Sequence, residues 1–178
     1  TRRSSDLADL NRDGHADVVF PCARRESDDR GRLAVFLGDG KGGFQHLDAE
    51  NRIPFPGTGL SVALGDVDED RLPDAVVVHH DSYDAAILRG DGKGGFRPGP
   101  HPKIRTHDGK SPHTHAVALA DVNADGHLDV LAGFADDNAV AVLLGDGEGG
   151  FSPADGSPFA AGDHPYEAIC VGRINGDD

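Results

Sequence analysis

The chain has 178 residues, with 17 Lys and Arg against 31 Asp and Glu and a net charge of −14 with neutral histidines. That balance disfavours nucleic acid and anionic membrane surfaces as partners, since both need clustered basic side chains. Twenty-five Gly and eleven Pro, without a sustained 3.6-residue apolar period, argue against helices and for an all-β chain of short strands and turns.

The first element is an oxygen-rich loop, Asp9-Leu-Asn-Arg-Asp-Gly-His-Ala-Asp17, of the pattern D-x-[DN]-x-D-x-x-x-D. Carboxylates and amides alternating around a tight turn aim hard oxygen ligands at one point, a donor set that suits calcium. A strand at Val18-Val-Phe20 leaves this loop, and Leu33-Ala-Val-Phe-Leu37 forms the next. The phrase Leu37-Gly-Asp-Gly-Lys-Gly-Gly-Phe44 then turns the chain into a short last strand.

The second unit repeats these pieces most clearly. Ser61-Val-Ala-Leu-Gly-Asp66 is a strand entering the loop Asp66-Val-Asp-Glu-Asp-Arg-Leu-Pro-Asp74, and Asp74-Ala-Val-Val-Val-His79 is a buried strand leaving it. Asp81-Ser-Tyr-Asp84 is a turn, Ala85-Ala-Ile-Leu88 a third strand, Gly90-Asp-Gly-Lys-Gly-Gly95 a second turn, and Phe96-Arg97 opens a fourth strand. The third unit has the loop Asp121-Val-Asn-Ala-Asp-Gly-His-Leu-Asp129, strands at Val130-Leu-Ala132 and Ala139-Val-Ala-Val-Leu-Leu144, and the turn ending at Phe151. The residues Ala168-Ile-Cys-Val-Gly-Arg-Ile-Asn-Gly-Asp-Asp178 align with Ala116–Gly126 and begin a fourth unit, in which Arg173 replaces the first loop Asp.

The Asp loops start at residues 9, 66 and 121 and the glycine turns end at Phe44, Phe96 and Phe151, so two interleaved phrases share a period of about 55 residues. Four-stranded antiparallel meanders of this size, stacked radially, make β-propeller blades. The expected blades span about 5–54, 60–106 and 114–160, with the start of a fourth at about 166–178. Alternation of strand direction places the Asp loop and the glycine turn at the same end. The other connections, residues 21–32, 79–84 and 133–138 within blades and 46–60, 98–115 and 152–167 between them, vary in length and charge, as expected of a binding surface.

These phrases resemble the FG-GAP/VCBS repeat family, the integrin-α-like calcium-binding β-propellers. The stretches VALADVNADGHLDVLAG and VAVLLGDGEGGF carry the resemblance, which spans nearly the whole chain. It implies a fragment of a seven-bladed propeller with about three calcium ions. The implied ligands are Asp9, Asn11, Asp13 and Asp17; Asp66, Asp68, Asp70 and Asp74; and Asp121, Asn123, Asp125 and Asp129, joined by the backbone carbonyls of His15, Leu72 and His127. An EF-hand reading fails because its twelfth-position carboxylate is replaced by Phe20, Val77 or Ala132. Arg71 stands where the other loops have Gly14 and Gly126. It must therefore adopt a left-handed conformation costing about 1–2 kcal/mol, and its replacement by Gly should tighten calcium binding.

The functional expectation is a non-catalytic calcium-binding module for extracellular protein binding, adhesion or scaffolding. A carbohydrate-binding, lectin-like propeller and the propeller portion of a larger secreted enzyme are the alternatives. Three-acid loops match weak calcium sites, which fill at extracellular, cell-surface or periplasmic calcium levels. The partner is a protein or a glycan, with no nucleic acid and no membrane insertion, and further blades come from a longer chain or an oligomer. Arg89-Gly90-Asp91 spells an adhesion tripeptide but fills a structural turn slot. His79, His80, His101, His107, His113 and His115 fall near the variable end and are expected as exposed polar loop residues. Cys22 and Cys170 are not at equivalent positions and make no disulfide framework.

Overall fold

Apolar runs between the Asp loops and glycine turns form strands in a computed structural model, which describes residues 5–22, 30–47, 54–56, 59–79, 84–102, 114–134, 138–162 and 169–172. Sheet one contains β1 (Asp6–Ala8), β2 (Asp17–Cys22), β3 (Arg30–Gly38) and β4 (Phe44–His46), with β5 (Pro54–Pro56) added beside β3. Sheet two is β6 (Gly59–Gly65), β7 (Asp74–His79), β8 (Ala85–Gly90) and β9 (Phe96–Pro98). Sheet three is β10 (Thr114–Ala120), β11 (Asp129–Phe134), β12 (Ala139–Gly145) and β13 (Phe151–Pro153), with β14 (Phe159–Ala160) beside β12. All pairings are antiparallel, and apart from β3–β5 and β12–β14 they join chain neighbours in a four-strand meander, the arrangement of propeller blades. No helix occurs among the described residues, so none is long and apolar enough to cross a membrane.

The added strands are a detail the repeat pattern does not reveal. The last strand of each sheet covers only the turn-proximal half of its neighbour: β4 pairs with Phe36–Gly38, leaving the other half of β3 to β5. In sheet two the segment after β9 completes the edge instead, with Ile87 N–H donating to the Pro100 carbonyl and Ala85 N–H to the Pro102 carbonyl, both at 3.1 Å. Prolines in these segments sit at sheet edges, where a missing N–H breaks no ladder.

Burial follows from stacking. Every residue of β7 is buried, because sheet two has a neighbour on both faces. By contrast β2 alternates, with Asp17, Val19 and Pro21 buried and Phe20 exposed, because the described sheets cover only one of its faces. One apolar layer joins Val19, Leu33, Val35 and Phe55 to Val62, Ala75, Val77 and Leu88. The other joins Val76, Val78 and Ile87 to Val130, Phe134 and Leu143. At roughly 1.5–3 kcal/mol for each fully buried Val, Leu, Ile or Phe, these layers hold the three sheets together.

Of the fourth unit the structure describes residues 169–172, which carry no strand, and Cys170 among them is exposed. A strand needs a hydrogen-bonded neighbour, and among the described residues none pairs with this segment. Arg173, Asn175 and Asp177 lie outside the described residues.

Candidate metal centres

Each Asp loop joins the first and second strands of its sheet, and each glycine turn joins the third and fourth, so the two phrases meet at one end. The ninth loop residue fastens them together. Asp17, Asp74 and Asp129 are fully buried. One oxygen of each accepts the backbone N–H of the second loop residue: Leu10 at 2.8 Å, Val67 at 3.0 Å and Val122 at 2.8 Å. The other accepts from the glycine entering the turn: Gly38 at 2.8 Å, Gly90 at 2.8 Å and Gly145 at 2.9 Å. That glycine has no alternative, because a Cβ on Gly90 would lie 2.4 Å from the Pro73 carbonyl oxygen. The ninth Asp is thus a clamp, and as a ligand it has only the lone pairs these bonds leave free.

Loops one and three are closed by the same internal bonds. Asp9 accepts Asp13 N–H at 3.1 Å and Gly14 N–H at 2.9 Å, and Asp121 accepts Asp125 N–H at 3.2 Å and Gly126 N–H at 2.9 Å. The amides of Asn11 and Asn123 donate to Asp13 and Asp125 at 2.9 and 2.7 Å. Asp13 is held below the ordinary carboxylate range by Asn11 and then by the His15 N–H. Asp125 is lowered by the His127 N–H and then by Asn123.

Loop two is more open. Asp68 replaces the amide donor, the Asp70 N–H lies 3.4 Å from Asp68, and one oxygen of Asp66 is buried without a hydrogen-bond partner. Oxygens of Asp66, Asp68 and Asp74 converge to within 4.8 Å of one another, the one such acidic group among the described residues. Asp74 is pushed up to about 6, first by burial, against the pull of the Gly90 and Val67 N–H groups, and with the Asp68 and Asp70 charges adding to the rise. An unpartnered carboxylate oxygen inside an acidic cup fits a hard cation, whose charge would reverse that rise. Asp66, Asp68, Asp70 and Asp74 are the residues that would hold it.

Backbone strain recurs in all three loops. Arg71 has φ 69°, beside 84° at Gly14 and 95° at Gly126, so the expected left-handed arginine is present. The fourth position, which the sequence pattern did not flag, is also left-handed, at Arg12, Glu69 and Ala124 with φ 64°, 59° and 61°. Arg71 therefore carries the backbone cost that Gly14 and Gly126 avoid, and a glycine there should relieve it in folding stability as well as in calcium affinity. Arg71→Gly should raise stability by about 1 kcal/mol, or about 2–4 °C in a melt. An unchanged or lower melting temperature would contradict this.

Cross-links join neighbouring loops. Arg12 Nη2 donates to the Arg71 carbonyl at 3.3 Å, and His127 Nδ1 meets Glu69 Oε1 at 2.6 Å, which raises the His127 pKa. Arg89 of the Arg-Gly-Asp tripeptide bonds the Glu148 carbonyl at 2.9 Å and pairs with Asp68 at 3.2 Å. Asp91 accepts Lys93 N–H and Gly95 N–H at 2.8 and 2.9 Å, so the tripeptide is internally engaged. Among the histidines, His101 is exposed as expected and His115 half-buried, but His79 is fully buried at the end of β7, its ring 5.2 Å from that of Phe55. His80, His107 and His113 lie outside the described residues.

A family model for the FG-GAP-like repeat matches residues 9–77, 68–132 and 121–178. None of the curated proteins matches the chain.

Proposed function

This chain belongs to the FG-GAP-like repeat family, and from that premise we propose that it is a calcium-binding propeller module that recognises a macromolecular partner through the loops opposite its calcium end. The observation carrying the metal reading is loop two, where three carboxylates converge and a buried oxygen of Asp66 has no partner. Loops one and three have the same backbone form, and their Asn–Asp bonds would open as the ion replaces them. Calcium supplies a charge that binds the loop oxygens and holds each loop in its turn. Binding to the folded state alone stabilises it by about 1.4 kcal/mol per site at ten times Kd.

The partner reading rests on how the two ends are used. Side chains at the calcium end are engaged with neighbouring sheets, through Arg12, Glu69, Arg89 and His127. The opposite connections differ in sequence between repeats, as in Arg24-Arg-Glu-Ser-Asp-Asp-Arg30 and His101-Pro-Lys-Ile-Arg-Thr-His107, and variation on a rigid scaffold is how repeat proteins acquire specificity. Further blades complete the stack. Phe20 and Phe44 of sheet one are 38% and 56% exposed, whereas Val77 and Phe96 at the same places in sheet two are 0% and 7% exposed. The module binds rather than catalyses, and it works where calcium is near millimolar, outside the cell or in a periplasm.

A melt in 10 mM calcium should lie above one in chelator by about 3–6 °C for each site filled to ten times its Kd. Identical melting temperatures would defeat the calcium reading. Dissociation constants below micromolar would remove the argument for an extracellular setting.

A further inference from the structure

Repeat two departs from its neighbours at two places that meet in space. Its third loop residue is Asp68 where the others have Asn11 and Asn123, and Arg89 occupies the strand register held by Leu37 and Leu144. Arg89 Nη1 lies 3.2 Å from Asp68 Oδ2, with the Asp68 side chain 9% exposed. The other guanidinium nitrogen donates to the Glu148 carbonyl of the sheet-three turn at 2.9 Å. That turn is shaped around it: a Cβ on Gly149 would lie 2.7 Å from Arg89 Nη2 and 3.3 Å from Asp68 Cβ. One repeat therefore adds an acid and a cation together, and the cation bridges the metal loop of sheet two to the glycine turn of sheet three.

We propose that Arg89 is a built-in counter-cation of loop two, which lowers that loop's affinity for a divalent cation and links its occupancy to the junction between sheets two and three. This rests on loop two being a metal site. Arg89 holds one Asp68 oxygen, so an incoming ion shares that carboxylate with a fixed positive charge. Between a unit and a double charge about 6 Å apart in a water-like dielectric, the repulsion corresponds to about a tenfold change in affinity. Loops one and three, with leucine in this register and an uncharged amide at the third position, have no such competitor there among the described residues.

The test is a calcium titration of the full chain, followed at the backbone amide of Arg71, which donates to Asp66 within loop two at 2.8 Å. Arg89→Leu installs the residue that sheets one and three already carry, and should tighten loop two about tenfold in low salt. The gap should shrink as salt screens the charge. Arg89→Lys keeps the charge while losing the planar fork and should stay near native affinity, separating electrostatics from packing. Equal or weaker affinity in Arg89→Leu, or equal tightening in both variants, overturns the proposal and leaves the calcium reading standing. An Arg71 amide of the native protein that does not move in 10 mM calcium overturns both.

Discussion

Asp129→Ala should destabilise the protein by about 3 kcal/mol in the presence of chelator, far more than Asp125→Ala in the same loop. Asp129 is fully buried, and its two oxygens receive Val122 N–H at 2.8 Å and Gly145 N–H at 2.9 Å. Truncation strands both donors, and an unsatisfied buried donor costs roughly 1–3 kcal/mol. It also removes a link between loop and turn across sixteen residues of chain. Asp125 is exposed, and water can replace its bonds to His127 N–H and Asn123. Asp129→Asn should fall between them, since the amide keeps one acceptor and sets an N–H against a donor. Denaturant unfolding in chelator measures all three. If Asp129→Ala then costs no more than Asp125→Ala, the ninth Asp acts only through a metal and the clamp is wrong.

Much of this architecture could be read from the chain, because its repeated phrases are local. Asp74–His79 reads as a buried strand from an unbroken Ala-Val-Val-Val run, and it forms β7 with the predicted limits. The meeting of Asp loop and glycine turn follows from antiparallel alternation alone. What escaped depends on distant partners. Asp17, Asp74 and Asp129 read as ligands, but their clamp role requires knowing that Gly38, Gly90 and Gly145 approach them, 16 or 21 residues away. The strict co-repetition of Asp with that glycine was the available signal.

In the sequence Arg89 reads as a lone substitution in a turn. Its meaning emerges only with Asp68 beside it, 21 positions earlier in the chain and 3.2 Å away in the fold. The left-handed fourth loop position was hidden for another reason: Arg12, Glu69 and Ala124 share no side-chain chemistry, and the turn imposes their φ whatever residue is present. Strands β5 and β14 are not legible in the sequence because they lack an apolar run long enough to announce a strand and exist by completing an edge.

His79 gives the other large expected effect. Sequence position placed it among exposed loop histidines, yet it fills the slot that Phe134 fills in sheet three, each five residues after the clamp Asp and each fully buried. Both ring nitrogens lack hydrogen-bond partners among the described residues. Burial pulls its pKa down to about 4, with Asp84 opposing and His101 assisting. The folded state therefore holds a neutral ring while the unfolded chain protonates near 6.5. Stability from this group is complete above about pH 6.5 and is lost as pH falls toward 4, amounting to about 3 kcal/mol. Below pH 4 both states carry the proton and the loss stops. Other carboxylates titrate in the same window, so the measurement is a difference: unfolding free energy from pH 7.5 to 4 for the native protein and for His79→Phe, which copies sheet three. The variant should be more stable already at pH 7, because it removes two unsatisfied buried nitrogens, and its advantage should widen by about 3 kcal/mol on acidification. Parallel curves would mean that the native protein hydrates or pairs the His79 ring, and that its burial carries no pH penalty.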